Sequence, residues 1–366
     1  MTHSFISSIG TANPENRIDQ KTISEFMLRH LPLTDASRKL VRVLYRASGI
    51  QYRHTVIPDF AEPGNGYAFF PANDALEPFP SVSKRMQLYQ KEAIKLSEKA
   101  ALDCLTGFDP HRLTHLITVS CTGMYAPGID IELIERLGLA TDIQRTSINF
   151  MGCYASFNAL KVAREISKND PQANILVVAV ELCSIHLLKK TDEDSLLSNA
   201  LFGDGAAAVL IQGERNGGTQ LEFEGFYSDL SLDGKDEMSW HISDFGFQMK
   251  LSAEVPKVIQ KGIGKLTRKL LERYATTISE VDHFAIHPGG KRILEVIEQE
   301  LGIKKEQNQA AYHVLKNYGN MSSPTVLFVL KEVLSTLESK NNDESLLSFA
   351  FGPGLTLESM LLKIVG

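Results

Sequence analysis

The sequence predicts a layered α/β fold, on three observations. Short apolar runs of β type recur along the chain: HLITVS (115–120), ANILVVAVEL (173–182), AAAVLI (206–211), HFAIH (283–287) and SLLSFAF (345–351). Stretches with helical periodicity lie between them. At 366 residues the chain is also long enough for two average domains or one large duplicated one. Strands alternating with helices bury a sheet by covering its faces with helices.

The elements follow in order. Residues 151–168 read as a helix. In VPKVIQKGIGKLTRKLLERYA (255–275), Val255, Val258, Ile259, Ile263, Leu266 and Leu270 recur on one helical face. Two further helices are expected over 290–301 and 324–338. The last has Ser323 as its N-cap and Pro324 at its first helical position. The polar, glycine-bearing QGERNGGTQ (212–220) reads as a connector. The expected organisation is therefore an N-terminal half, 1–215, and a C-terminal half, 216–366, each ending in a strand pair. Residues 53–85, rich in Pro, Asn and Phe, read as a long irregular excursion, equally a surface loop or a cover over an entrance.

Composition narrows the function classes. With 43% hydrophobic and 22% charged residues, the chain has the make-up of a globular protein rather than a disordered one. A formal net charge of −6 argues against a nucleic-acid partner, whose affinity rests on neutralising phosphates. No run of 18 apolar residues predicts a membrane span. The opening MTHSFISSIGTANPEN lacks a basic region followed by an apolar core, so no secretory signal is read and a cytoplasmic location is expected. Cys104, Cys121, Cys153 and Cys183 form no C-x-x-C pair, which predicts free thiols and no metal site.

One stretch carries candidate chemistry. INFMGCYASFNALKVAREI places Cys153 after a glycine, at the first turn of a helix. Two readings stand open. A single cysteine in an apolar setting is a small core residue. A thiol at a helix N-terminus also meets free N–H groups and the positive end of the dipole, which favour thiolate. His287 ends an apolar strand just before Pro288, Gly289 and Gly290; it is a turn histidine or a base. Asn320, in NYGNMSSPTVLFVL, is a cap residue or an amide donor to a developing oxyanion. Together the three make a nucleophile, base and donor set.

The chain resembles the type III polyketide synthases, the chalcone synthase-like family of the thiolase fold. The markers are IGTANPEN, PGID (127–130), GC (152–153), ALFGDGAAAVL (200–210), HPGGKRIL (287–294), YGNMSS (318–323) and FGPGLTLE (351–358), in the family's order. The resemblance implies two related αβαβα halves and the catalytic set Cys153, His287 and Asn320. It implies that Cys153 accepts a starter acyl group from coenzyme A, and that malonyl-CoA then decarboxylates beside it. The enolate attacks the thioester, and the cycle repeats before the chain cyclises to an aromatic or pyrone product. The expected partners are malonyl-CoA, a starter acyl-CoA and a second copy of the chain. No cofactor or metal is expected; the coenzyme A thioesters are substrates. A thiolate on Cys153 beside a His287 imidazolium is the expected resting pair.

The same resemblance implies pocket roles for Phe202, Ser322 and Pro353, and coenzyme A-binding roles for Lys39, Arg42 and Arg46. Those three bases, spaced i, i+3 and i+7, share a helical face; a solvated basic face is the plainer alternative. Arg292 is a further candidate. The chain departs from the plant chalcone-forming pattern at Cys121, Thr122 and Cys183, which replace hydroxyl residues, and at Trp240, which replaces a glycine. Met249 replaces a phenylalanine, and Ala126 replaces a methionine that crosses the dimer interface. These changes point to a bacterial-type pocket and to malonyl or aliphatic starters. Three rivals are weighed: a single-round ketoacyl synthase III-type condensation, a cysteine hydrolase, and a partner subunit that keeps the fold without catalysis. The text around Cys153 lacks the papain-like pattern, and the full set of three residues argues against an inert subunit.

Overall fold

A computed structural model describes residues 3–61 and 66–366. Its centre is a nine-stranded sheet among the described residues. Across it the order is His283–Ile286, Ser345–Gly352, Thr356–Val365, Gln220–Leu230, Phe5–Ala12, Asp204–Gln212, Asn174–Leu182, His115–Ser120 and Gln144–Asn149.

The sheet is built twice. In the first half His115–Ser120 runs parallel to Asn174–Leu182, which is antiparallel to Asp204–Gln212, itself antiparallel to Phe5–Ala12. In the second half His283–Ile286 runs parallel to Ser345–Gly352, which is antiparallel to Thr356–Val365, itself antiparallel to Gln220–Leu230. The halves join where Phe5 and Ile6 pair with Glu222 and Leu221.

Helices complete the layers. Val82–Cys104 covers Phe5–Ala12, Asp204–Gln212 and Asn174–Leu182, while Val255–Arg273 covers Gln220–Leu230 and Thr356–Val365. The equivalent helices Ala155–Asn169 and Thr325–Thr336 each touch strands of both halves and form the central layer. Every residue of Asn174–Leu182 and of Asp204–Gln212 is buried. Helices on both faces require this, and it is why these runs are almost continuously apolar instead of alternating.

The expected strands and helices are present, with two differences. Cys153 lies in the turn just ahead of its helix, which begins at Ala155. Ser323 does not cap the Thr325–Thr336 helix: Pro324 is the N-cap, and the Ser323 hydroxyl donates instead to Glu181 Oε1 at 2.7 Å. The 212–220 segment links the Asp204–Gln212 and Gln220–Leu230 strands. The 53–85 excursion includes four residues, 62–65, that lie outside those described. The rest of it is no loose loop. Asp59 accepts from the backbone N–H groups of Ala68, Phe69 and Phe70 at 2.7–2.9 Å, and Phe60, Phe69 and Phe70 are buried.

Candidate active site

Five of the family-like markers, GC, ALFGDGAAAVL, HPGGKRIL, YGNMSS and FGPGLTLE, meet at one place, whereas PGID lines a separate cleft. Gly152 has φ +81°, and a Cβ there would lie 2.3 Å from Pro353 Cδ, so the turn before Cys153 and the FGPG segment fit only with glycine at 152. Asn320 N donates to Leu201 O at 3.0 Å, and Gly203 N donates back to Asn320 O at 2.9 Å. The Asn320 amide donates from Nδ2 to Gly289 O at 3.3 Å, in the turn that follows His287.

Cys153, His287 and Asn320 line one small cavity with Phe202, Met238, Met249, Leu251, Gly289, Ile293 and Phe351. A larger chamber shares Phe202 and Met249 with it. All eight expected pocket residues line that chamber: Phe202, Cys121, Thr122, Cys183, Trp240, Met249, Ser322 and Pro353. A third cavity shares Leu251, Gly289 and Ile293 with the small one. The three spaces thus follow one another, with the Cys–His–Asn set between an outer groove and an inner chamber.

Electrostatics differ from the expected ion pair. Burial pushes the Cys153 thiol up to about 12, and the nearby Glu181 carboxylate adds to this; the Ser322 hydroxyl and the Asn320 amide pull it partly back. Burial pushes His287 down to about 3. Burial thus works against a charge on either group, because the cavity removes the water that would solvate it. Neither ring nitrogen of His287 has a hydrogen-bond partner, although the residue is 1% exposed. Buried nitrogens are ordinarily paired, and a pair left open beside a thiol is a site arranged for an incoming polar group. Asn320 is held differently. Its Oδ1 accepts from Ser322 N at 2.8 Å, which aims the amide nitrogen toward the Gly289 side of the cavity.

The basic residues sit outside these walls. Lys39, Arg42 and Arg46 are exposed on the Asp35–Ala47 helix. The same helix gives Leu44 and Ala47 to the outer groove, followed by Ser48. Arg292 also lines the groove and pairs with Glu295 at 3.3 Å. Ala126 is not on the chamber wall of its own chain. It lines a separate cleft with Met124, Ile131, Arg145 and Ser147, beside the exposed edge strand Gln144–Asn149.

Two residues of the site escape sequence reasoning. Glu181 is fully buried; it accepts from Cys121 N at 3.0 and 3.1 Å, Thr122 Oγ1 at 2.7 Å and Ser323 Oγ at 2.7 Å. It thereby ties the end of the His115–Ser120 strand to the turn that carries Asn320. Its signal is a lone carboxylate at the end of an otherwise apolar strand. His186, three residues after Cys183, also lines the chamber and carries no such signal.

Comparison with known proteins agrees with this geometry. The family model described as chalcone and stilbene synthases, N-terminal domain, matches residues 2–215, and the C-terminal domain model matches residues 229–366. The chain is 30% identical to the alpha-pyrone synthesis polyketide synthase-like Pks18 of Mycobacterium tuberculosis, over all of this chain and 92% of that protein. It is 32% identical to the probable polyketide synthase 1 of Dictyostelium discoideum over 99% of this chain, which spans only 12% of that much longer protein. Two crystal structures superpose on the whole chain. PKS-I from the brown alga Ectocarpus siliculosus does so with a TM-score of 0.94 at 28% identity, over 99% of that chain. The C-terminal type III polyketide synthase domain of Steely1 from Dictyostelium, a type I/III hybrid, gives 0.91 at 30% identity, over 100% of that chain.

Proposed function

The chain belongs to the chalcone and stilbene synthase family, and from that premise we propose how its own residues run the chemistry. It is a type III polyketide synthase, an acyl-transferring enzyme that condenses malonyl-CoA iteratively onto a starter acyl-CoA. One observation carries the assignment of roles: Cys153, His287 and Asn320, from three distant parts of the chain, line a single cavity that shares Phe202 and Met249 with a larger one.

Cys153 Sγ attacks the thioester carbonyl of the starter while His287 takes the thiol proton, and the coenzyme A thiol leaves. Malonyl-CoA then loses carbon dioxide. That step needs no base; it needs N–H donors for the enolate oxygen, and His287 and Asn320 supply them. The enolate carbon attacks the acyl group on Cys153, the new carbon–carbon bond forms, and the sulfur departs. The lengthened chain, now a coenzyme A thioester, is transferred back to Cys153 Sγ with release of the coenzyme A thiol, and grows into the inner chamber. This scheme needs no resident cofactor or metal, because the two donors do the polarising.

The outer groove is our proposed path for the pantetheine arm, with Lys39, Arg42 and Arg46 meeting the phosphates on the adjoining helix surface and Arg292 at its rim. Ile23, Met27, Phe60, Leu187 and Leu188 on the inner chamber favour an aliphatic starter, with cyclisation to a pyrone or aromatic ring. The open edge of Gln144–Asn149 and the exposed Met124 and Ile131 around Ala126 support a homodimer, which light scattering decides. We place the enzyme in the cytoplasm; no helix among the described residues is long and apolar enough to cross a membrane. The test of the whole reading is incubation with malonyl-CoA and a panel of acyl-CoAs, with mass spectrometry of products and of the Cys153 peptide. Absence of acylation at Cys153 across the panel overturns it.

A further inference from the structure

The hairpin of Met238–Ser243 and Gly246–Leu251 stands apart from the nine-stranded sheet and pairs only with itself. It nevertheless supplies Trp240, Phe247 and Met249 to the inner chamber, and Met238, Met249 and Leu251 to the small cavity. A two-stranded ribbon has little stability of its own, so its position depends on what ties it down.

Its turn is held by Val82 N, which donates to Asp244 O at 2.9 Å, and its side-chain ties converge on Cys121 and Thr122. Trp240 Nε1 donates to Cys121 O at 2.7 Å. His186 Nδ1 accepts from Phe247 N at 2.9 Å, and His186 Nε2 lies 2.6 Å from Thr122 O. A backbone N–H only donates and a carbonyl only accepts, so the proton is on Nε2 and the ring is neutral. The same ring stacks on Phe247, with centroids 4.2 Å apart and planes 11° apart, and meets Trp240 edge-on at 5.6 Å. The backbone on the far side of the tie is itself fixed, through Cys121 N and Thr122 Oγ1 on Glu181. Burial pushes His186 down to about 3, which keeps a second ring proton from facing the Phe247 N–H.

We propose that His186 is a specificity-determining positioning residue: its two ring nitrogens lock the 238–251 hairpin, through Phe247 N, to Thr122 O, and the locked hairpin sets how long a chain the chamber accepts. The inference rests on the polyketide synthase reading and deepens it. His186 touches no reacting atom in this scheme; it acts through the wall that carries Trp240, Phe247 and Met249.

The experiment compares wild type, H186Q and H186L, supplied with hexanoyl-CoA and malonyl-CoA. Glutamine carries one donor and one acceptor and so rebuilds both bonds; leucine fills space and rebuilds neither. Products are quantified per malonyl-CoA consumed, and backbone hydrogen exchange is followed across 238–251. In H186L the ratio of the principal product to shorter and longer chains is expected to fall roughly tenfold, the effect of losing a buried hydrogen-bonded tie. The Phe247 amide is expected to lose protection in H186L and to keep it in H186Q. If H186L does not fold, H186N, too short to span both backbone groups, replaces it. An unchanged product ratio in the variant overturns the proposal, as does unchanged protection at Phe247, or a proportional fall of every product in both H186Q and the unlocking variant. If wild type itself makes no condensation product, the functional reading fails, and the exchange comparison still decides whether the lock exists.

Discussion

Asn320 Nδ2 donates to the carbonyl of Gly289 over 3.3 Å, joining the turn after His287 to the turn before the Thr325–Thr336 helix. The amide cannot flip freely, because its Oδ1 accepts from Ser322 N at 2.8 Å and from Thr325 Oγ1 at 3.4 Å. The donor face is therefore set by the fold before any substrate arrives, and that preorganisation is where an oxyanion site gets its effect.

Asn320→Asp puts an acceptor where the enolate needs a donor. Malonyl-CoA decarboxylation, followed as released carbon dioxide, is expected to drop by about 10²–10³. Acylation of Cys153 by the starter, read by mass spectrometry of the intact protein, is expected to suffer less. Equal losses in both steps would mean that Asn320 serves only to hold the turn.

Gly152→Ala tests the other side of the cavity. The backbone there sits at φ +81°, and the added methyl would lie 2.3 Å from Pro353 Cδ. Either the turn or the FGPG segment must shift, and Cys153 is the next residue. We expect a loss of about 1–3 kcal/mol in unfolding free energy together with slower Cys153 acylation. Urea denaturation and single-turnover acylation read the two effects separately.

These two positions show how far the sequence speaks. Glycine before cysteine, proline and glycines after histidine, and asparagine before an apolar helix are local patterns, and each is legible because the backbone there has few alternatives. The continuous apolar runs at 174–182 and 204–212 likewise announce strands covered on both faces. Ser323 misleads because N-cap chemistry is a local rule, whereas the buried Glu181 carboxylate competes for the same hydroxyl from a strand 142 residues away in the chain. The desolvation of Cys153 and His287 is illegible for a similar reason: residue type indicates a thiolate–imidazolium pair, and only the tertiary enclosure reveals the burial that opposes it. His186 is silent in sequence because its role depends on a hairpin more than fifty residues later.

The basic helix face offers a test outside the cavity. Lys39, Arg42 and Arg46 are exposed, and their charge acts on phosphates through water and salt. Reversing all three, in K39E/R42E/R46E, is expected to raise KM for malonyl-CoA roughly tenfold at low salt, with kcat much less affected. The difference should shrink in high salt, where screening removes it for wild type and variant alike. A KM that does not respond to the reversal would return these residues to a solvated basic face.

His186 also makes a prediction about acid stability, with the sign set by its burial. Its folded-state value, about 3, lies below its ordinary 6.5, so between those values the unfolded chain binds a proton that the folded chain refuses. Its contribution is complete above about pH 6.5 and is lost as pH falls toward 3; His287 behaves the same way. Asp204 runs oppositely: burial raises it from 3.8 to about 6, the folded carboxyl holds its proton longer, and stability declines as pH rises through that range. The raised Glu181 shares that sign. The sum of the four is therefore a poor test, and a single substitution isolates one of them. Glutamine at 186 keeps the donor and acceptor and removes the titration. Between pH 7 and pH 5, wild type is expected to lose about 2 kcal/mol more unfolding free energy than H186Q, measured by denaturant titration at both pH values. Equal losses would mean that the imidazole between Phe247 and Thr122 protonates in the folded protein as readily as in the unfolded one, which two filled ring nitrogens in a dry site forbid.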